Sequence, residues 1–328
     1  MLRIHHFNRD PRPANYTFEQ LFGAIRLELE KSVKIDNQNL PAGLNKYQAI
    51  IWAKQRAGKI NHITGDVNYL SYGLPKQGQI ITVHDLGHYT RTLGGWKKYV
   101  YKKFWLDGPF SKAQALTAIS GFTKNEMVQR LGVPESKIHI VGNPVLPGIT
   151  FSDLPDNPKP IILQIGSGTN KNVARLIAAV KGLEVKLLLV NKLLDPRIKS
   201  LLKDSKVDFE QCADLDFNGL NQAYAKADVL FFASEYEGFG MPILEAQAAG
   251  RPVITSTVTS MPEAAGEKGA IFVDPYDVEQ IRAAIIKIIS SKSLQREYVQ
   301  QGLENLKKYQ IGHIAQQYLK LYEQVEGK

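Results

Sequence analysis

The second half of the chain alternates short apolar runs with stretches in which apolar residues recur at helical spacing. Residues 161–165 form an apolar run that ends at Gly166, which is typical of a strand buried on both faces of a parallel sheet. A helical stretch follows at 172–181. The same order recurs, with strands at 185–190, 207–209, 229–232, 253–255 and 271–273 and helices at 196–203, 220–226, 242–249 and 277–289. Strands that alternate with helices predict a doubly wound α/β domain.

The first half is less regular but has the same kinds of pattern. Buried strands are predicted at 80–83, 116–119 and 138–141, with helices near 18–30, 44–56 and 96–105. A second α/β domain is the economical interpretation of this half. The last stretch, 311–325, carries an apolar stripe at helical spacing, so we expect a helix that packs against another element.

Three prolines stand among polar residues at 151–160, which indicates a linker. A chain of 328 residues also favours two domains, since one domain takes roughly 100–200 residues. We therefore predict an N-terminal domain at 1–150, a linker at 151–160, a C-terminal domain at 161–310 and a final helix at 311–328.

Composition narrows the class of protein. With 44% hydrophobic and 22% charged residues, the chain lies outside the range of disordered proteins. Its one cysteine, Cys212, excludes an internal disulfide framework and a multi-cysteine zinc site and fits a reducing compartment. The N-terminus lacks the pattern of a signal peptide, and no apolar run approaches the ~18 residues of a membrane span. We expect a cytoplasmic protein.

The charge is distributed unevenly along the chain. Residues 1–150 hold 20 Lys and Arg and 10 Asp and Glu, a net charge of +10, whereas residues 151–328 hold 21 and 22, a net charge of −1. This asymmetry suggests that the first half meets nucleic acid, an acidic membrane surface or a phosphorylated substrate, although an ordinary basic surface is an alternative. Residues 96–105 interleave four lysines with five aromatic residues. Such a helix either lies on anionic lipid or packs on the core with a solvated lysine face.

Candidate binding residues follow the predicted strands, because ligands of open α/β sheets bind beyond the carboxyl ends of the strands. The loop after 161–165 contains Gly166, Ser167, Gly168, Lys171 and Asn172. Backbone N–H groups, a helix N-terminus and a lysine together suit a diphosphate. An ordinary turn with an exposed lysine is the alternative, and the loop has neither of the two common nucleotide-binding fingerprints.

Two further strand ends carry ionisable residues. After 229–232 come Glu237 and Glu245, which flank the start of a predicted helix; the backbone N–H groups of Phe239, Gly240 and Met241 are candidate donors. A carboxylate in a first helical turn also simply stabilises the helix dipole. After 80–83 come His84 and Asp85, which either point into a cleft or are satisfied by the backbone; His88 is expected to be a surface loop residue.

Taken together these residues resemble the family 4 glycosyltransferases of the GT-B fold. The resemblance rests on Glu237 and Glu245, which seven residues separate, on Gly250-Arg-Pro-Val-Ile and on Pro262-Glu263. It extends to Lys171-Asn172 and His84-Asp85, and in the first half also to 120–123 and 141–144. It is most specific over residues 160–290. It implies two Rossmann-like domains that face each other across a cleft, with the final helix crossing back to the first domain.

The resemblance also implies roles for the candidate residues. Lys171 binds the donor's diphosphate, Glu245 the ribose hydroxyls and Glu237 the donor sugar, with help from backbone N–H groups at 239–241. His84 contacts a sugar hydroxyl near the reacting carbon. No metal and no further cofactor is implied, because the nucleotide sugar is a co-substrate.

Two departures from the family pattern concern phosphate and acceptor. An arginine often precedes the loop lysine in this family, whereas this loop has Ser167. The usual glycine-rich loop near the N-terminus is replaced by Asn15-Tyr-Thr-Phe-Glu19, which leaves Tyr16, Thr17 and Asp85 as candidates for the acceptor side.

The function expected from the sequence is retaining transfer of a sugar from a nucleotide diphosphate sugar to a saccharide acceptor. A lipid-linked glycan or a cell-surface polysaccharide fits that acceptor, with the protein peripheral on the inner face of a membrane. A nucleotide-sugar epimerase of the same fold and a basic nucleic-acid-binding protein are the alternatives, although no nucleic-acid motif is present.

Overall fold

A computed structural model describes residues 2–10, 17–192 and 195–327, with only the backbone described at 17 and 18. The chain forms two compact units. The first comprises Met1–Leu146 together with Tyr309–Lys328, and the second comprises Pro147–Lys308.

The first unit is built on a six-stranded parallel sheet of order β2-β1-β3-β4-β5-β6. The strands are β1 (Arg3–Asn8), β2 (Lys34–Asn39), β3 (Ile60–Ile63), β4 (Gln79–Val83), β5 (Ala115–Ala118) and β6 (Ile138–Ile140). The neighbours Ile80 and Ile81 of β4 belong to different apolar clusters, because successive side chains point to opposite faces of a strand. Both faces of this sheet are therefore covered.

Among the residues that the structure describes, five α-helices connect these strands. They are α1 (Thr17–Leu29), α2 (Lys46–Gln55), α3 (Gly95–Tyr101), α4 (Gly108–Lys112) and α5 (Gly121–Leu131). Two π-helical turns, His88–Thr92 and Lys102–Asp107, flank α3. His88 thus lies in helical backbone rather than in the surface loop that the sequence predicts, although its side chain is exposed.

Strands β1, β2 and β3 are absent from the sequence prediction because their polar residues mask the usual apolar signal. His6 in β1 and His62 in β3 are buried and both contact the hydroxyl of Tyr322. Strand β2, with the sequence KIDNQN, lies at the edge of the sheet and is partly exposed. Buried histidines with hydrogen-bond partners and a polar edge strand do not produce the apolar run on which the prediction depends.

The second unit has a six-stranded parallel sheet of order β12-β11-β10-β7-β8-β9. Its strands are β7 (Ile161–Ile165), β8 (Lys186–Val190), β9 (Asp208–Cys212), β10 (Val229–Phe232), β11 (Val253–Ser256) and β12 (Ile271–Val273). Its helices are α6 (Val173–Val180), α7 (Pro196–Ser205), α8 (Phe217–Lys226), α9 (Met241–Ala248), α10 (Met261–Ala265), α11 (Val278–Ile289) and α12 (Lys292–Leu306). The strand order reverses direction between β7 and β10, which makes this the switch point where ligands of such sheets bind.

Residues 151–160 contain neither helix nor strand and lie within the second unit. The buried guanidinium of Arg251 holds them, since its Nη2 donates to the carbonyl oxygens of Ser152 at 2.7 Å and Asp153 at 2.8 Å.

The last helix, α13 (Ile311–Glu326), belongs to the first unit and packs against α1. Its apolar stripe is buried in one cluster with Ile4, Phe22 and Ile25. The predicted fold class, two Rossmann-like doubly wound α/β domains, is confirmed by the two parallel sheets.

Candidate active site

The switch point of the second unit brings two predicted loops together. Strands β7 and β10 pair directly, with Ile162 opposite Val229, so the loops that follow them leave the same edge of the sheet. A backbone hydrogen bond of 2.8 Å from Glu235 N to Asn170 O joins the two loops. The site is therefore built on adjacent strand ends, as the sequence predicts.

Lys171 and Glu237 form an ion pair across this switch point. Lys171 Nζ donates to Glu237 Oε1 at 2.6 Å, and the two side chains keep 20% and 17% of their surface exposed. The ammonium also lies 4.7 Å from the ring centroid of Phe232, a favourable cation–π distance. Asn170 Nδ2 donates to the same carboxylate oxygen at 3.3 Å. The structure thus joins two residues for which the sequence indicated separate roles.

Gly166 makes room for this lysine. Its φ is +105°, and a Cβ there would lie 2.7 Å from Lys171 Cε. Its own N–H donates to Val190 O at 3.0 Å, so it belongs to the sheet edge. The last residue of β8 therefore accepts the Gly166 N–H in this structure, and anion binding by the backbone of this loop stays a prediction.

The other predicted residues of this loop hold its shape. Ser167 Oγ accepts from Lys192 N at 2.8 Å, which links the loops after β7 and β8. Gly168 precedes a 3₁₀ turn, and a Cβ on it would lie 2.3 Å from Asn170 Oδ1. The buried Asn172 has φ +62° and donates from Nδ2 to Ala233 O at 3.1 Å and to Pro275 O at 2.6 Å. Asparagine tolerates this left-handed backbone better than most residues.

A second ion pair runs beside the first and is absent from the sequence prediction. Arg175 Nη1 donates to Glu235 Oε1 at 2.7 Å, and its guanidinium lies 5.0 Å from the ring of Tyr276. Arg175 follows Lys171 by four residues, and Glu235 precedes Glu237 by two. Lys171 ends the 3₁₀ turn before α6 and Arg175 lies in the first turn of α6, whereas both glutamates lie in the loop after β10. Two cations and two carboxylates just after strands β7 and β10 were the available sequence signal.

A cavity of about 330 Å³ opens next to these pairs. Its lining includes residues 166–169, the apolar residues Ile198 and Leu201, and four charged residues: Arg175, Lys192, Asp195 and Arg197. A concave site with a few polar groups on an apolar lining is typical of small-molecule binding.

The loop after β10 is held rigidly. Ser260 Oγ lies 2.9 Å from both Glu237 O and Phe239 O, and Phe239 is buried. Gly240 has φ +113° and precedes α9, which begins at Met241. The helix then carries Glu245, whose Oε2 accepts from Tyr224 OH at 2.8 Å. Burial raises the pKa of Glu245, and the Tyr224 hydrogen bond opposes that shift.

Helices α6 and α9 both start at the switch point, and in the described chain neither has a side-chain cap at its N-cap residue. Their first N–H groups therefore add partial positive charge on either side of the Lys171–Glu237 pair.

His84 lies in the first unit at the end of β4 and is buried. Its Nε2 is 2.8 Å from Thr64 O, and because a carbonyl only accepts, Nε2 carries the proton. Burial lowers the pKa of His84, so the ring is neutral near pH 7 and Nδ1 is its acceptor nitrogen. Asp85 is exposed and accepts from Gly87 N at 2.7 Å. Thr17 begins α1 without a described side chain, and Tyr16 lies outside the described residues.

The basic aromatic segment 96–105 has some aromatic side chains packed on the core and others exposed. Tyr101 and Trp105 pack on the core of the first unit. Trp96, Tyr99 and Phe104 are 72%, 64% and 61% exposed. Within the described chain, no helix is both long and apolar enough for a membrane span. Over the same residues, no cluster of three or more His, Cys, Asp or Glu forms a metal site.

Family models match both halves of the chain. Residues 149–305 match the model "Glycosyl transferases group 1", and residues 61–147 match the model "Glycosyltransferase Family 4". The chain belongs to the family 4 glycosyltransferases. The group 1 model covers both sides of the switch point, including Lys171 and Glu237, and the family 4 model covers His84.

Curated glycosyltransferases resemble parts of the chain. The O-antigen chain mannosyltransferase B of Escherichia coli is 38% identical over 100 residues, which are 30% of this chain and 26% of that protein. The O-antigen chain mannosyltransferase RfbU of Salmonella typhimurium is 27% identical over 220 residues, or 65% of this chain and 61% of that protein. The chain thus spans less than two thirds of the length of either relative.

Solved glycosyltransferase structures share the fold over nearly the whole chain. A glycosyltransferase from Rickettsia africae superposes with a TM-score of 0.72 at 17% identity and covers 99% of this chain and 98% of its own. Anabaena HepE in complex with UDP-glucose superposes with a TM-score of 0.73 at 12% identity, covering 99% and 100%. At these identities the likeness shows the fold alone, and that fold is GT-B.

Proposed function

We propose that this chain is a retaining glycosyltransferase that moves a sugar from a nucleotide diphosphate sugar to a saccharide acceptor. The Lys171–Glu237 pair at the switch point carries the proposal. It holds a cation suited to a diphosphate 2.6 Å from a carboxylate suited to sugar hydroxyls. The two glycosyltransferase domains support the same assignment.

Lys171 is the proposed partner of the leaving diphosphate, on which negative charge grows as the bond to the sugar breaks. Arg175 and the N-termini of α6 and α9 add positive potential at the same place, which stabilises the transition state electrostatically. We propose that these groups act in place of a metal ion and without a further cofactor. When Lys171 turns to the diphosphate, Glu237 becomes available for hydroxyls of the donor sugar.

Two other residues, one in each unit, have proposed roles in binding hydroxyl groups. Glu245 is proposed to accept hydrogen bonds from the ribose hydroxyls, since Tyr224 already orients its carboxylate. His84 is proposed to accept a hydrogen bond from a sugar hydroxyl, because Thr64 fixes its proton on Nε2 and leaves Nδ1 as the acceptor.

The proposed step is attack on the same face that the diphosphate leaves. The bond between the anomeric carbon and the diphosphate oxygen breaks, and its electron pair stays on that oxygen. The acceptor hydroxyl bonds to the anomeric carbon, and its proton passes to the departing phosphate oxygen, so the anomeric configuration is retained. Covalent catalysis by Glu237 is the alternative known from retaining hydrolases. We favour hydroxyl binding, because Lys171 and Asn170 both donate to the carboxylate oxygen Oε1.

The relatives supply the most direct guide to donor and acceptor. Both curated relatives are described as O-antigen chain mannosyltransferases, and HepE was solved with UDP-glucose. We propose a hexose donor, with mannose first to be tested, and an acceptor glycan of surface polysaccharide synthesis that is lipid-linked.

We also propose that the exposed aromatic side chains of 96–105 contact an anionic membrane. Trp96 and Phe104 are more than 60% exposed within a unit of high positive charge, and aromatic rings with basic neighbours suit the lipid headgroup region. Replacing both by alanine should weaken cosedimentation with phosphatidylglycerol vesicles, whereas Phe209→Ala on β9 should not. Absence of any vesicle binding by the wild type at low salt contradicts this part.

Donor binding tests the proposed function. Calorimetry with a panel of nucleotide diphosphate sugars should show binding of one nucleotide class, and Lys171→Ala should weaken it at least tenfold. The matched control is Lys287→Ala, which removes an exposed lysine of α11 in the same unit. If no nucleotide sugar binds the wild type, or if both variants bind equally well, the assignment of the site is wrong.

A further inference from the structure

Three adjoining cavities in the first unit share the side chains of His88 and Tyr101. A small one, about 70 Å³, contains His84 and Asp85. The second, about 960 Å³, is bordered by Tyr69 and Trp105, and the third, about 700 Å³, continues over the exposed aromatic residues of 96–105. The surface beside His84 therefore opens directly onto a much larger groove.

Three half-buried rings cluster in this groove and are here called the aromatic platform: Tyr69, Tyr101 and Trp105. The ring centroids of Tyr69 and Trp105 are 4.8 Å apart with the planes tilted by 57°, and those of Tyr101 and Trp105 are 5.6 Å apart with nearly parallel planes, at an angle of 16°. All three pack on the core of the first unit, so the platform is rigid. Lys46 Nζ lies 4.3 Å from the Trp105 ring centroid.

Polar groups border the platform on the side of His84. Asp66 and His88 are exposed there, and both line the cavity that contains His84. Burial, together with the carboxylates of Asp66 and Asp85, raises the pKa of Tyr101, so its phenol is protonated and close to both acids. A π-helical turn contributes Trp105 and another contributes His88, and such turns often occur at functional sites.

We propose that the aromatic platform is the subsite for the acceptor saccharide, an inference that rests on the proposed glycosyl transfer. A pyranose ring has an apolar C–H face and a rim of hydroxyls. The face fits flat aromatic rings, and the hydroxyls fit the carboxylates of Asp66 and Asp85. Stacking on the platform directs one end of the glycan to the cavity that contains His84. The exposed rings of Trp96 and Phe104 line only the third cavity, which lacks acidic residues.

Tryptophan fluorescence tests the platform directly, since the chain has only three tryptophans. A panel of oligosaccharides of mannose, glucose, galactose and N-acetylglucosamine is titrated into the full chain. At least one should give a saturable change. That change should persist in Trp96→Phe and be lost in Trp105→Leu. Tyr69→Leu should lower the affinity for the same glycan at least tenfold. In every variant whose circular dichroism matches the wild type, the affinity for the nucleotide sugar measured by calorimetry should stay within twofold of the wild-type value.

The outcomes separate this inference from the proposed function. Two results overturn the assignment of the platform and leave the proposed nucleotide-sugar site intact. One is a saturable fluorescence change that depends on Trp96 and not on Trp105, and the other is the absence of a saturable change with any glycan. A different outcome is glycan binding that requires Trp105 while no nucleotide sugar binds. The platform would then remain a saccharide site, but its role in glycosyl transfer would be overturned. If Trp105→Leu does not fold, Tyr69→Leu decides: unchanged glycan affinity there contradicts the inference.

Discussion

Two buried histidines should make the first unit sensitive to mild acid. His6 Nε2 and His62 Nδ1 lie 3.0 Å and 2.8 Å from the hydroxyl of Tyr322 on α13, and His62 Nε2 lies 2.7 Å from Thr82 Oγ1. Burial lowers the pKa of His6 to about 3 and the pKa of His62 well below its usual value of 6.5. Both rings are therefore neutral in the folded state throughout the mildly acidic range.

The direction and size of the effect follow from proton linkage. Above pH 6.5 both histidines are neutral whether the chain is folded or unfolded, so they add no pH dependence. Below pH 6.5 the unfolded chain binds protons that the folded chain excludes, and stability falls by about 1.4 kcal/mol per pH unit for each histidine. At pH 5 the loss is roughly 2 kcal/mol for each and about 4 kcal/mol for the pair.

The assay is urea denaturation followed by tryptophan fluorescence at pH 7.5 and pH 5. Trp52, Trp96 and Trp105 are the only tryptophans, and all belong to the first unit, so the signal reports on that unit alone. His62→Gln should reduce the stability difference between the two pH values by roughly 2 kcal/mol. The control His313→Gln changes an exposed residue of α13 and should leave that difference unchanged.

Two results would refute the reasoning. One is a wild-type stability that is equal at the two pH values. The other is a pH dependence in His62→Gln that matches the wild type. If that variant does not fold, His6→Gln gives the same test, because the two side chains share the Tyr322 hydroxyl.

Three further predictions concern the second unit. Glu237→Gln should retain measurable transfer, and intact-mass spectrometry should find no glycosyl adduct; a trapped adduct would establish covalent catalysis instead. Gly166→Ala should lower the free energy of unfolding by about 1–3 kcal/mol because of its φ of +105°, and it should also weaken nucleotide binding by displacing Lys171. The control Gly182→Ala, at φ +74° with open space around it, should lower stability without changing nucleotide binding. Equal nucleotide affinity in the two variants would contradict the steric role of Gly166. Transfer assayed after chelation with EDTA should keep its rate, and a loss restored by Mg²⁺ or Mn²⁺ would show that the helix ends and Lys171 do not suffice.

The second unit was largely predictable from sequence because most of its strands are buried on both faces. Strands β7, β8 and β10 have few polar residues, so their pattern is clear and the ends of β7 and β10 locate the site, whereas the edge strand β9 is polar and exposed and was predicted only in part, at 207–209. In the first unit, β1 and β3 bury His6 and His62 within a hydrogen-bonded network, and β2 is a polar edge. Local pattern cannot reveal such strands, since the partners that satisfy them come from α13 at the far end of the chain.

The candidate site was predictable in position but less so in its internal contacts. Sequence order placed Lys171 and Glu237 after different strands, and the strand order makes those strands neighbours. The ion pair itself depends on side-chain conformations that no motif encodes. The role of Gly166 likewise depends on the Lys171 side chain that crosses it, and the structural role of Asn172 depends on carbonyl groups from two distant loops.

The anomeric configuration of the product tests the central claim most directly. The wild type is incubated with an α-linked nucleotide diphosphate hexose and a saccharide acceptor, and the anomeric carbon–hydrogen coupling of the product is measured by NMR. We expect an α-linked product whose formation is reduced at least a hundredfold in Lys171→Ala and unchanged in Lys287→Ala. A β-linked product would contradict retention, and absence of transfer from every nucleotide sugar in the panel would contradict the assigned reaction.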